Sequence, residues 1–472
     1  MPSTQAPWPL KALRRLVAIK SSNVDKIMEE GEEIVSLCNY VDVYYNDRIT
    51  GDIEFSSGSA KPQEITKFKL RTDDVVITKD SETPDDIAVP SLVETSAEGV
   101  ICGYHLAILR PDRSKIIGPF LFWSLMAKPT REAFGLAAQG VTRYGLTLNG
   151  IGSVIIPVPD LATQKAIAAF LDRETTRIDE LIARKKRQVE LLHRRAKQAV
   201  EELVTGAAVE GMATVETGLD HIPRIPAHWS LLRAGHLFHE VAEPNTDDLP
   251  VLSVSIHTGI SDRQLNDEER ERKVNLIEDR SSYKCVRPGY LAYNMMRAWQ
   301  GAVGVSTVDG AVSPAYVVAK PTRALHSLYY QFLLRTTSFI EQMRQGSKGI
   351  TDFRLRLYWE QFRLIMLPVP PLKEQRRIAA EAERELAHAD EVAARIVRSV
   401  ALLREHRAAL ITADVAGQID IRENPPAAIS TSDRDRFRLV VGAEIIHQHR
   451  SNPKFGRVKL QKELYLAEAH LG

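Results

Sequence analysis

A long internal repeat constrains this chain more than any other feature. PVPDLATQKAIAAF at 157–170 returns as PVPPLKEQRRIAAE at 368–381, an offset of 211 residues that then holds without a gap for about fifty residues. Leu161 meets Leu372, Gln164 meets Gln375, Ile167 meets Ile378, Leu191-Leu192 meets Leu402-Leu403, and Gly206 meets Gly417. Chance does not hold a register that long, and a repeat of this kind sets the architecture around it.

Each copy opens on Pro-x-Pro, which suits an extended lead-in, and then runs free of Gly and Pro until Gly206 or Gly417. Each therefore predicts one long helix. Ile167, Leu171, Ile178, Leu181, Ile182, Val189, Leu192, Ala196, Ala199 and Leu203 recur at three- and four-residue steps, as do Ile378, Ala382, Leu386, Ala389, Ala393, Ile396, Val400, Leu403 and Leu410. A rod of forty-odd residues, on the order of 60 Å at about 1.5 Å per residue, is stable mainly when such a stripe is covered. The two stripes predict a mutual coiled coil.

The repetition extends more weakly into the segments ahead of each helix. Trp8, Leu10 and Leu16 match the spacing of Trp229, Leu231 and Leu237; Asp74–Ile77 answers Gly289–Ala292; and Gly140–Leu146 resembles Gly349–Leu355. The plan is globule, long helix, globule, long helix, with two globules that share an outline and differ in most other residues. The first globule predicts strands at 34–37, 74–78 and 100–109 and a helix near 118–127. The second predicts strands at 251–256, 290–293, 302–306 and 315–320 and a single helix from 325 to about 345. Both read as mixed, strand-rich α/β modules.

Several function classes are excluded or weakened. With 62 Lys plus Arg against 61 Asp plus Glu, any nucleic-acid face has to be local. No apolar run approaches the roughly 18 residues of a membrane span, and the first twenty residues lack a secretory pattern, so the expectation is a cytoplasmic protein. Cys38, Cys102 and Cys285 lack metal-site spacing and read as reduced packing residues. Phosphate-loop, dinucleotide, nucleophile-elbow and zinc-protease motifs are absent. Asn424-Pro425-Pro426 touches the Asn-Pro-Pro-aromatic motif of amino-methyltransferases, but Ala427 replaces the aromatic. Asp73, Asp74, Lys79 and Asp80 fit either a phosphodiester-hydrolase cluster or a solvated strand end.

Signals for binding are stronger. Asn39, Tyr40, Tyr44, Tyr45, Asn46 and Arg48 combine the amide, aromatic and cationic groups that read base edges and touch phosphates, and they equally suit a polar turn. Asn294, Met295, Arg297, Trp299 and Gln300 follow a predicted strand with the same chemistry. Lys79, the turn with Arg143 and Tyr144, and the turn with Lys348 and Arg354 add candidate DNA contacts. The densest basic run, Arg184–Arg187 with Arg194, Arg195 and Lys197, fits a solvated helix face or a contact with DNA or a partner.

The doubled P-x-P-x-L-x-x-Q-x-x-I-A opening, the two long helices ending near Gly206 and Gly417 and the two dissimilar globules resemble the DNA-specificity subunit of type I restriction-modification systems over about residues 1–420. The resemblance implies two target-recognition domains, 1–156 and 222–367, separated by spacer helices 157–206 and 368–420 that pair as an antiparallel coiled coil, with a linker at 207–221. Residues 421–472 depart from that pattern and read as a linker and a helical extension. It further implies a non-catalytic, DNA-binding subunit that reads a split site in double-stranded DNA. Two methyltransferase subunits and a restriction motor-nuclease would bring S-adenosylmethionine, ATP and magnesium, with no cofactor in this chain. The repeated helix openings, with Gln164, Ile167, Gln375 and Ile378, are the expected partner interface.

Overall fold

A computed structural model describes residues 8–207, 213–245, 249–256, 259–261, 282–349 and 355–418. The chain forms two compact units, Met1–Glu180 with Leu403–Gly472, and Leu181–Leu402. The two long helices are present as Leu161–Thr205 and Leu372–Val415. No helix among the described residues is long and apolar enough to cross a membrane. The extension at 421–472, with its Asn-Pro-Pro segment, lies outside the described residues.

In the first unit a five-stranded sheet has the order Val17–Ser21, Leu106–Pro111, Val75–Thr78, Pro90–Val93, Arg48–Ile49. A second sheet pairs Ser56–Ala60, Glu33–Cys38 and Ile101–Cys102. Between the sheets and the helix Gly118–Met126, alternate residues of Val75–Thr78 enter different cores: Val75 and Ile77 join Phe120 and Trp123, while Val76 joins Leu37 and Phe68. The first core also takes Ile167, Ala168 and Leu171 from the start of one long helix and Ile411 and Val415 from the end of the other.

The second unit repeats the plan with a sheet ordered Phe238–Val241, Tyr316–Pro321, Leu291–Asn294, Val303–Val305. Leu291 and Tyr293 pack with Tyr329 and Tyr330 of the helix Ser327–Leu334, and the core takes Ile378, Ala379 and Ala382 from one long helix and Val200 and Val204 from the other. Every one of these helix residues sits 211 positions from its counterpart in the first unit or within a step of it. Along the helices Asp179 meets Arg407 at 3.1 Å and His193 meets Asp390 at 3.3 Å, so numbers rise on one helix as they fall on the other, and the pair is antiparallel.

Three expectations need revision. The helix predicted from 325 to about 345 is two helices, Ser327–Leu334 and Thr337–Gly346, because Thr336 leaves helical geometry and its hydroxyl accepts the Phe339 N–H as a cap. The strand predicted over 100–109 breaks at Gly103 into Ile101–Cys102 and Leu106–Pro111. The segment read as a linker at 207–221 contains the strand Thr214–Leu219, paired with Ile222–Pro226. All three cysteines are buried and unbridged.

Both long helices are tied down at each end by the same devices. At the openings, Gln164 donates to the carbonyls of Pro159 and Lys115 (2.9 and 3.0 Å) and accepts from Ile117 N–H at 3.0 Å. Gln375 donates to Pro370 O and accepts from His326 N–H, both at 2.8 Å. Ile117 and His326 each precede the core helix of their unit, so one buried amide joins a spacer opening to an otherwise unpaired helix-start N–H. At the far ends Gly206 and Gly417 adopt φ of +81° and +72°, where a Cβ would lie 2.5 Å from Pro226 and 2.9 Å from Trp8 respectively.

Candidate nucleic-acid interface

In the first unit the strand Val75–Thr78 runs out at Lys79, whose N–H bonds to His105 O and whose carbonyl accepts from Leu146 N–H. Asp80 and Ser81 then pair with Gly145 and Tyr144 of a tight hairpin. Gly140 makes that hairpin possible, since at φ +144° a Cβ would clash with Arg143 O at 1.9 Å. Arg143 stands exposed on the hairpin, and Tyr144 is held in its strand.

The short helix Tyr40–Tyr44 reaches the same place. Asn39 caps it in a reciprocal box with Asp42 and donates to Leu37 O at 3.0 Å. Tyr40 stacks on Tyr44 with centroids 5.4 Å apart, and Tyr44 donates its hydroxyl to Asp86 at 2.6 Å, a bond that pushes its pKa up to about 12. Burial raises the pKa of Tyr40 and so does Asp86, Arg143 opposes them, and Asp80 adds a smaller push upward, so Tyr40 lies among charges from three chain segments. Asn39, Tyr44, Lys79, Arg143 and Tyr144 are therefore gathered at one end of the sheet.

Two residues expected there also have partners within the fold. Arg48 binds Asp172 on the spacer helix at 2.5 Å and lies 4.7 Å over the Phe122 ring, while Trp123 donates to the same carboxylate at 2.9 Å. Its charge helps to hold the helix. Asn46 donates to Asp42 O at 2.9 Å, closing the short helix. The acidic group considered as a hydrolase site also dissolves: Asp73 and Asp74 pair with Arg113 and Arg110 at one end of the strand, and Lys79 and Asp80 lie at the other.

In the second unit the strand Leu291–Asn294 ends in the same way. Met295 N–H bonds to Ala315 O and Met295 O accepts from Leu357 N–H, which matches Lys79 with His105 and Leu146. The chain then makes a 3-10 turn, Ala298–Gln300, closed by Gly301 at φ +91°. Asn294 accepts Met296 N–H and Trp299 donates to Met296 O, both at 2.9 Å, so the turn carries its own internal bracing. Arg297 is exposed on it. Lys348 is exposed beside this turn, joined to Arg356 by two 2.9 Å backbone bonds one residue before Leu357. Arg354 lies outside the described residues.

The four residues expected at a partner interface are interior. Gln164 and Ile167 are fully buried and Gln375 and Ile378 are 2% exposed, with each glutamine amide both donating to and accepting from the backbone as above. A partner cannot reach them. Sequence reasoning gave no place to Tyr104 and His105, and it grouped Asp80 with other acids instead of with His105. His105 bonds Asp80 at 2.7 Å, and the Lys79 ammonium lies 5.0 Å from the Tyr104 ring. Gly103, which breaks the strand before them, was the available signal. Among the described residues no cluster of His, Cys, Asp and Glu could hold a metal ion.

Comparison with known proteins fits this geometry. Residues 40–191 match the family described as Type I restriction modification DNA specificity domain. The chain is 25% identical over 177 residues to a putative type I restriction enzyme MjaX specificity subunit of Methanocaldococcus jannaschii, covering 37% of this chain and 40% of that protein. It is 22% identical over 311 residues to the type I restriction enzyme EcoBI specificity subunit of Escherichia coli, covering 62% and 65%. The chain thus spans less than two thirds of the length of these relatives. Two solved structures share the fold at 17% identity: one described as underlying complex assembly and conformational transition of the type I R-M system, with TM-score 0.58 over 88% of this chain and 99% of that one, and the HsdS subunit of Thermoanaerobacter tengcongensis, with TM-score 0.52 over 89% and 99%. Taken with the doubled scaffold, these likenesses make the chain similar to the DNA-specificity subunits of type I restriction-modification systems, with the family match itself lying at residues 40–191.

Proposed function

We propose that this chain selects the target of a cytoplasmic type I restriction-modification complex, reading a split site in double-stranded DNA with one domain per half and leaving the chemistry to partners. The observation that carries this reading is that one scaffold occurs twice with unlike residues on the same rim. Lys79, Tyr144 and Arg143 stand at the strand end in the first unit, and Asn294, Arg297 and Trp299 in the second. Two unlike readers on one scaffold suit an asymmetric bipartite sequence. Exposed cations along the helix, Lys186, Arg187, Arg194, Arg195 and Lys197, are available to phosphates or partners.

The partners in this proposal are two methyltransferase subunits, which supply S-adenosylmethionine chemistry, and a motor-nuclease, which uses ATP and magnesium. Because the repeated glutamines and isoleucines are interior, the repeated exposed leucines are better contacts. Leu191 and Leu402 sit 211 positions apart and are 47% and 66% exposed. Equivalent surfaces suit two copies of one partner.

The test is single-molecule sequencing of methylated adenine in cells carrying the chain with its genomic neighbours and in cells lacking only the chain. A split motif that disappears with the chain is expected. Methylation that persists unchanged would overturn the specificity role.

A further inference from the structure

Tyr104 is half exposed, yet two neighbours lie against its ring. Its ring carries the Lys79 ammonium at 5.0 Å and meets the His105 ring edge-on at 4.4 Å, and His105 is itself held by Asp80 at 2.7 Å. The turn beneath is rigid: Gly103 N–H bonds to Cys38 O at 2.8 Å, and a Cβ on Gly103 would lie 2.6 Å from that same oxygen. An exposed aromatic ring ordinarily gains little for folding from such bracing. A ring held in one orientation beside a cation is what contact with a base requires, because the ordering entropy is met before binding.

The position also belongs to the variable rim. Lys79 bonds to His105 in the first unit as Met295 bonds to Ala315 in the second, so Tyr104 corresponds to Pro314. The second unit has no ring there and projects the Arg297–Trp299 turn instead. The structure assigns Tyr104, backed by Lys79, as a specificity-determining residue for the first half-site. This assignment rests on the proposed function above. The ring would lie against a base edge while the ammonium meets the adjoining phosphate, two contacts that differ in kind: the first depends on sequence and the second does not.

The experiment sequences methylated adenine in cells expressing the wild-type chain, Tyr104→Ala, Tyr104→Phe or Lys79→Gln with the neighbouring subunits. Thermal melts of each purified chain check folding. In Tyr104→Ala, discrimination at one base of the first half-site should fall about ten- to hundredfold, with the second half-site intact. Tyr104→Phe should keep most of that discrimination, and Lys79→Gln should lower occupancy without changing the motif. An unchanged motif in Tyr104→Ala overturns the assignment, as does equal loss at both half-sites together with a lowered melting temperature. A wild-type chain that directs no split motif overturns the function on which the assignment rests, and that result is seen before any variant is compared.

Discussion

The two units agree wherever the chain must hold a long helix and differ wherever it meets solvent at the end of the central strand. Gln164 and Gln375 make the same buried joint, Gly206 and Gly417 make the same close approach to a tryptophan-bearing segment, and Leu146 and Leu357 bond to the same strand-end carbonyl. Beyond that carbonyl the first unit goes to a hairpin with Arg143 and the second to a braced turn with Arg297. The lesson is a division of labour. Burial fixes the residues that carry the helices, while the rim is free to change without cost to the core.

The comparison can be broken most forcefully at the glutamines. Gln164→Leu, which frees one N–H and two carbonyls, and Gln375→Leu, which frees one N–H and one carbonyl, should each cost about 2–4 kcal/mol in its own unit, read by denaturant unfolding. Equal losses at the two sites would sharpen the equivalence, and a silent substitution at either would break it. Gly206→Ala and Gly417→Ala should each cost about 1–3 kcal/mol, since both glycines hold positive φ against a neighbour closer than 3.0 Å.

One position distinguishes the two helix ends in a titratable way. Asp414 is buried with neither carboxylate oxygen hydrogen-bonded among the described residues, and burial pushes its pKa up to about 7; its counterpart in the first helix is Leu203. The folded state therefore keeps this proton up to about pH 7 and the unfolded chain loses it near its ordinary 3.8, so the stability tied to the proton is full below pH 4 and lost as pH rises through 7. Asp414→Leu should stabilise the first unit by about 1–2 kcal/mol at pH 8, with the gain shrinking toward pH 5. A gain independent of pH between 5 and 8 would contradict the buried charge.

The smallest effect on folding is expected at the exposed leucines. Leu191→Glu or Leu402→Glu should change stability by no more than about 0.5 kcal/mol. If two methyltransferase subunits dock as proposed, each should reduce the number captured per chain from two to one, measured by native mass spectrometry. Full capture by the double variant would remove these residues from the partner surface.

Much of the scaffold was legible because the long helices carry a period that no strand shares, and a gapless offset needs no structure to be seen. Trp8, Leu10 and Leu16 were also matched correctly, since Leu10 pairs Pro157 as Leu231 pairs Pro368. The strand match slipped by one residue: the hydrogen bonds align Val75 with Leu291, whereas the sequence had aligned Val76 with it. Every residue of Val75–Thr78 is buried, so no alternation marked which face was which. The rim match slipped by two, with Leu146 corresponding to Leu357 and not Leu355, because the second loop is two residues longer. Arg48 and the two glutamines have partners within the fold that the sequence did not disclose, for one reason. A polar side chain in a sequence does not announce whether its partner is water, DNA or a backbone carbonyl.

The central claim is that each half-site is read by its own domain on an interchangeable scaffold. Replacing residues 222–367 with a second copy of 1–156 and sequencing methylated adenine in cells with the neighbouring subunits tests this directly. The account predicts that the split motif becomes the first half-site repeated in inverted orientation. Retention of the original second half-site would contradict it.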